Sequence, residues 1–134
     1  MLSLNLFISH TLRRRATAPG GLGGQCVDLI ELYIAQCYGL PHVWHNASDW
    51  VGVTLPGWTW EPNTPTNVPP TGAIIVWGQT PQHGIGPFGH IAIVIEADQY
   101  LILTYDQNWP DGSPCLFNEH DYVGVLGWHI PPPS

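Results

Sequence analysis

From Pro70 onward the chain changes character, and that change limits the fold more than any other feature of the sequence. Residues 73–77, Ala-Ile-Ile-Val-Trp between Gly72 and Gly78, form a continuous apolar run of strand length, as expected of a strand buried on both faces. Residues 90–96 give a second strand, 97–99 a turn and 100–105 a third strand. Asp106 to Trp109 ends that strand, and Pro110-Asp111-Gly112 turns the chain. Residues 122–128 read as a last strand before the prolines at 131–133. The half before Pro70 reads differently. Residues 1–15 suit a short helix or an extended arm, 44–50 a short helical piece, and 54–70, rich in Pro, Thr, Asn and Trp, irregular surface. Helix first and antiparallel meander after predicts an α+β fold. No repeat or linker divides the 134 residues, so a single domain over 1–134 is expected, with no separate binding domain.

The main helix begins at an unusual place. Gly23-Gly24-Gln25-Cys26 sets a cysteine directly after a glycine-rich loop and at the first turn of a segment with helical spacing. Val27, Ile30 and Ile34 fall on one stripe with Leu29, Tyr33 and Cys37 beside it, while Gly39 and Pro41 supply the stop. The N–H groups of a first turn are unpaired and the helix dipole is positive there, which favours a thiolate, the attacking form of cysteine. A small apolar cysteine packed in a core is the ordinary alternative.

Composition excludes several classes. With a formal charge of −7 and Arg13, Arg14 and Arg15 as the only Lys or Arg, the chain lacks the cations that nucleic acids or anionic membranes require. The arginine triplet is expected to be a solvated end. Met1–Arg15 places its charges after the apolar residues, the reverse of a secretory leader, and no stretch is long and apolar enough to span a bilayer. Three cysteines (Cys26, Cys37, Cys115) leave room for one Cys37–Cys115 pair at most, with Cys26 free.

Topology then supplies partners for Cys26. His90 opens one strand and Asp106 closes the next, and in a hairpin the first residue of one strand lies near the last of the other. His90 is therefore expected beside Asp106 or Asn108, and a helix packed with its N-terminus toward His90 completes a Cys–His–carboxylate set. The imidazole would take and return a proton, the carboxylate would fix its orientation, and Gln25, Asn108 or the backbone N–H of Cys26 would serve a tetrahedral oxyanion. Trp109 is placed to shield the set from water.

The ordered segments Gln25-Cys26-Val27-Asp28-Leu29-Ile30, Gly89-His90-Ile91-Ala92-Ile93-Val94 and Asp106-Gln107-Asn108-Trp109 resemble the CHAP family, the cysteine, histidine-dependent amidohydrolases/peptidases of papain-like fold found in bacteriophage endolysins. His45-Asn46-Ala47 with Trp50, Thr71 to Val76 and Gly127-Trp128 add to the match, which runs over about 23–131. The resemblance implies helices packed on an antiparallel sheet, Cys26 as nucleophile, His90 as base, Asp106 at the acidic position where endolysin examples carry Glu, and Asn108 beside the histidine. It implies cleavage of an amide in bacterial peptidoglycan, either as an amidase or as a stem or cross-bridge endopeptidase, by a monomer without cofactor. Such an enzyme would be made in the host cytoplasm and reach the wall through a holin or with the virion. It could be a minimal lysin or the catalytic fragment or subunit of a larger one. Some family members bind calcium in an acidic loop before the cysteine; residues 16–24 hold no acid, and Asp28 alone cannot supply the six or more oxygens calcium takes.

Other readings remain open at this level. A non-catalytic wall- or peptide-binding module could keep the same fold, and a papain-like toxin could act on another amide. Glu96 is a rival for the acidic role, and Gln25 could be a plain loop amide. His42, His45, His83 and Asp49 match no compact zinc motif, so no metal site is expected. Trp44, Trp50, Trp58 and Trp60 suit either a groove for substrate or core packing.

Overall fold

In a computed structural model describing residues 1–133, helices α1 (Leu4–Thr11) and α2 (Cys26–Tyr38) lead into a six-stranded sheet. The strands are β1 (Thr59–Pro62), β2 (Ile74–Trp77), β3 (His90–Ala97), β4 (Ile102–Asp106), β5 (Leu116–His120) and β6 (Val125–Ile130). Their spatial order is β1-β6-β2-β3-β4-β5, and every neighbouring pair is antiparallel. The α+β expectation holds.

Alternation along the central strands explains their unbroken apolar sequence. Ile74 and Val76 of β2 with Ile91 and Ile93 of β3 face α2, where they meet Leu29, Ile30 and Ile34 together with Phe7 of α1. Ile75, Trp77, Ala92 and Val94 point to the opposite face and pack with Ile85, Ile102 and Trp128. The helical stripe is Leu29, Ile30, Tyr33 and Ile34; Val27 and Cys37, placed on or beside it by spacing, are only partly buried. Gly39 ends α2 in the left-handed conformation at φ 67°.

Four expectations need correction. Residues 54–70 are not wholly irregular: β1 pairs with β6 from Thr59↔Ile130 to Pro62↔Gly127, and the apolar Trp58 and Trp60 help build the core against Tyr38 and His129. A fifth strand, β5, follows the 110–112 turn where no strand was foreseen. The last strand also begins at Val125 rather than at residue 122. The short helical piece near residues 44–50 is a 3-10 turn, Ala47–Gly52, with Trp50 fully buried beneath it. All three thiols are free, so Cys37 and Cys115 are not paired.

Gly89 joins this turn to the sheet. It adopts φ +76°, Ser48 N–H donates to the neighbouring Phe88 carbonyl at 2.8 Å, and a Cβ at position 89 would strike the Trp77 carbonyl and come within 2.8 Å of Ser48 Cβ. Left-handed backbone strain and overpacking act together at this position. Gly89→Ala is expected to destabilise the protein by roughly 2–4 kcal/mol in urea unfolding.

Candidate active site

The groove of about 890 Å³ lies where the N-terminus of α2, the start of β3 and the end of β4 converge. Cys26, His90, Gln25, Asn108 and Trp109 all contribute to its lining. The five residues singled out as site candidates there are thus brought together; Asp106 lies behind His90, fully buried.

Cys26 is partly buried at the first position of α2. The loop before it is organised by Asp28 from within the helix. One carboxylate oxygen accepts from Ala18 N–H at 3.0 Å, and the other accepts from Gly23 and Gln25 N–H at 3.2 and 3.1 Å. A buried acid in the first turn thus pairs with the positive end of its own helix and with the glycine loop. Glu31, one turn on, holds the chain after the helix by accepting from Val43 and Trp44 N–H at 3.1 and 2.7 Å.

His90 Nε2–H donates to Asp106 Oδ2 at 2.8 Å, and the ring lines the same groove as Cys26. Burial alone would depress the imidazole; the hydrogen bond to Asp106 and its charge, with Cys26 nearby, outweigh it and push the pKa up to about 9. Burial would raise the Asp106 carboxyl, but donated hydrogen bonds from His120 and His90 and their charges hold it well below the usual carboxylate range.

Asp106, not Asn108, carries the hydrogen bond to His90. Asn108, at φ 63°, instead donates from Nδ2 to Gln25 Oε1 at 3.3 Å and accepts Gly112 N–H at Oδ1. That contact leaves the Gln25 NH2 available as a donor at the groove. Trp109 lies with its ring centroid 6.3 Å from that of His90 and donates its indole N–H to the His83 carbonyl at 3.1 Å. Glu96 is exposed further along β3, away from the set. His42, His45, His83 and Asp49 do not cluster; His83 pairs with Asp121 at 2.9 Å, and His42 lies 3.6 Å from Glu31.

Two buried residues escaped the sequence reading. Gln107 clasps three segments: Oε1 accepts Ala16 N–H at 2.6 Å and the Cys115 thiol at 3.2 Å, while Nε2 donates to the Ala16 and Gln25 carbonyls at 3.0 and 2.8 Å. His120, at the end of the unforeseen β5, donates from Nε2 to the same Asp106 oxygen as His90, at 3.0 Å. The donor atoms of His90, Asp106 and His120 lie within 4.8 Å of one another, but the two N–H groups point at the carboxylate, so the cluster is a hydrogen-bonded one. A glutamine after a strand-end aspartate carries no signal for a clasp. The alternation Asn118-Glu119-His120 was the available clue to β5, and it was masked by polar residues facing inward.

A family model described as the CHAP domain matches residues 17–108. The chain belongs to the CHAP family. Endolysin PlyTW of Staphylococcus phage Twort is 34% identical over 131 residues, which take in 89% of this chain and 27% of PlyTW. The crystal structure of the wild-type endolysin LysIME-EF1 superposes with a TM-score of 0.79 at 27% identity, covering 98% of this chain and 65% of the other. Ly7917 shares the fold, with a TM-score of 0.66 at 19% identity over 96% of this chain and 60% of its own. The chain therefore spans about a quarter of PlyTW and under two thirds of the two solved relatives.

Two outcomes follow from the charges. Because Asp28 is already filled by three N–H donors, the melting temperature is expected to be the same in EDTA and in millimolar calcium, whereas Asp28→Asn should cost about 1–3 kcal/mol in urea unfolding. His90 has a folded pKa near 9 against an ordinary 6.5, so its stabilising contribution is complete below pH 6.5 and is lost as pH rises through 9. The urea midpoint should fall across that window, and His90→Gln should remove the fall.

Proposed function

We propose that this CHAP domain is a peptidoglycan hydrolase that cleaves an amide bond with Cys26 as nucleophile, His90 as general acid–base and Asp106 as the group that orients His90. The observation that carries the reading is the position of His90, hydrogen-bonded to the buried Asp106 carboxylate at 2.8 Å and set with Cys26 on the wall of one open groove. The family and the phage endolysin relative supply the substrate class.

In the reaction, the thiol proton resides on His90 and the Cys26 sulfur attacks the amide carbonyl. The negative charge that develops on the carbonyl oxygen is met by the Cys26 backbone N–H at the helix start and by the Gln25 NH2 that Asn108 turns toward the groove. The imidazolium returns its proton to the leaving amine, giving a thioester. His90 then takes a proton from water, which attacks the thioester and restores the thiol. Asp106 remains ionised throughout and stabilises the imidazolium. Trp109 covers the His90 side of the set, and the exposed Leu22 and Phe88 form apolar rims on the groove.

The scissile bond is either the glycan–peptide amide or a peptide bond of the stem or cross-bridge. Digestion of purified peptidoglycans of differing stem and bridge chemistry, with mass analysis of the fragments, separates the two. Wild type should release new amine ends, Cys26→Ala should lose activity by at least roughly 1,000-fold, and turnover should fall on the alkaline side near pH 9 as His90 loses its proton. Equal release by Cys26→Ala would refute the mechanism. An inert wild type whose thiol reacts no faster than free cysteine would instead favour a binding module of the same fold.

A further inference from the structure

The buried face of β4 and β5 holds a second histidine whose geometry goes beyond a three-residue set. Thr104↔Asn118 and Ile102↔His120 are direct cross-strand partners, so Asn118 and His120 share the face that carries Thr104 and Asp106. The Asp106 carboxylate consequently receives four donors. His90 and His120 both donate to Oδ2, at 2.8 and 3.0 Å, and Thr104 Oγ1 and Asn118 Nδ2 both donate to Oδ1 at 3.0 Å.

A carboxylate oxygen only accepts, so His120 must carry its proton on Nε2 to make this bond. The ring has little freedom to do otherwise. It is 5% exposed and lies between Trp77 and Trp109, with ring centroids 4.7 and 4.2 Å away. Nothing about packing alone requires a polar ring between two indoles at the end of a strand; a phenylalanine would fill that slot. The polar atom that distinguishes histidine is the one on Asp106.

We propose that His120 is a positioning residue of the active site: by occupying the same Asp106 oxygen as His90, it divides that oxygen's charge between two imidazoles and sets how tightly His90 holds its proton. Two consequences follow from the sharing. The carboxylate is fixed in plane by donors from β3, β4 and β5, so His90 has one orientation to adopt. Its Asp106 partner is also weaker than an undivided carboxylate, which lets the imidazolium surrender its proton to a leaving amine. A base that is too well stabilised is a poor acid in the next step.

The groups facing His120 are few. Asp106 on β4 and His90 on β3 contact it, with Cys26 of α2 behind His90. Asp121 follows it in the chain and is itself paired with His83 at 2.9 Å; the Trp77 and Trp109 rings are uncharged. His120 is not among the residues lining the groove, so substrate does not meet it.

The test compares His120→Phe, which keeps an aromatic ring between Trp77 and Trp109 but removes the donor, with His120→Gln, whose amide N–H can replace Nε2–H. Alkylation of Cys26 by iodoacetate is followed against pH by peptide mass analysis, because the reagent's carboxylate makes the rate sensitive to the neighbouring imidazolium and because Cys37 and Cys115 are also free thiols. His120→Phe should move the alkaline limb of that profile upward by about one pH unit, while His120→Gln stays close to wild type. On peptidoglycan, His120→Phe should lower kcat roughly tenfold with KM unchanged. The turnover arm rests on the amidohydrolase reading, but the alkylation arm does not, so failure of one is distinguishable from failure of the other. A folded His120→Phe protein with the wild-type alkylation profile would overturn the proposal. Should His120→Phe not fold, His120→Asn, whose amide is too short to reach Asp106, replaces it; identical profiles for His120→Asn and His120→Gln would overturn it equally.

Discussion

A fully buried carboxylate must be satisfied on every lone pair, and Asp106 is the group on which this molecule turns. Left unpaired, an ionised acid at that depth would cost several kcal/mol and would take up a proton instead. Four donors from β3, β4 and β5 keep it charged, and each draws its own strand into one register about it. The residues at the strand ends are thereby chosen by electrostatics, whereas the middles of β2 and β3 are chosen by packing. Both demands meet at His90, which belongs to the Asp106 shell and lines the groove together with Cys26.

The other acids in the interior follow the same rule. Asp28 and Glu31 are fully buried, one turn apart on α2, and each spends its oxygens on backbone N–H groups of loops that have no regular partner. A chain with few bases has used the peptide backbone as its counter-charge. This explains how a protein with a net charge of −7 and three arginines, all of them exposed, can bury several carboxylates without a single buried Arg or Lys partner among its described residues.

Much of this was legible beforehand, for physical reasons. Short apolar runs bounded by glycines and turn residues favour strands, so β2, β3 and β4 were visible, and hairpin topology then placed His90 beside Asp106 or Asn108. Cysteine at a helix start was visible because glycine and the apolar spacing bracket it. What stayed hidden shares one cause: polar residues doing interior work. Asn118 and His120 point inward to a carboxylate while Phe117 stands 45% exposed, so β5 shows an inverted pattern. β1 was obscured by proline and threonine at a sheet edge, where proline is tolerated. Gln107 and the choice between Asp106 and Asn108 depended on which face each residue of a strand end takes, and a one-residue uncertainty in that end changes every answer.

That last alternation has a mechanical side. Asp106 and Gln107 are consecutive, and they reach to opposite sides of the sheet end, the first to His90 and the second to the carbonyl of Gln25, the residue before Cys26. One dipeptide therefore bolts both halves of the proposed Cys26–His90 pair to the same strand end. Cys26 and His90 are thereby tied to a single strand end through side chains that follow one another in the chain. The groove's rims, Leu22 on the glycine loop and Phe88 on the turn before β3, stand exposed outside this clasp.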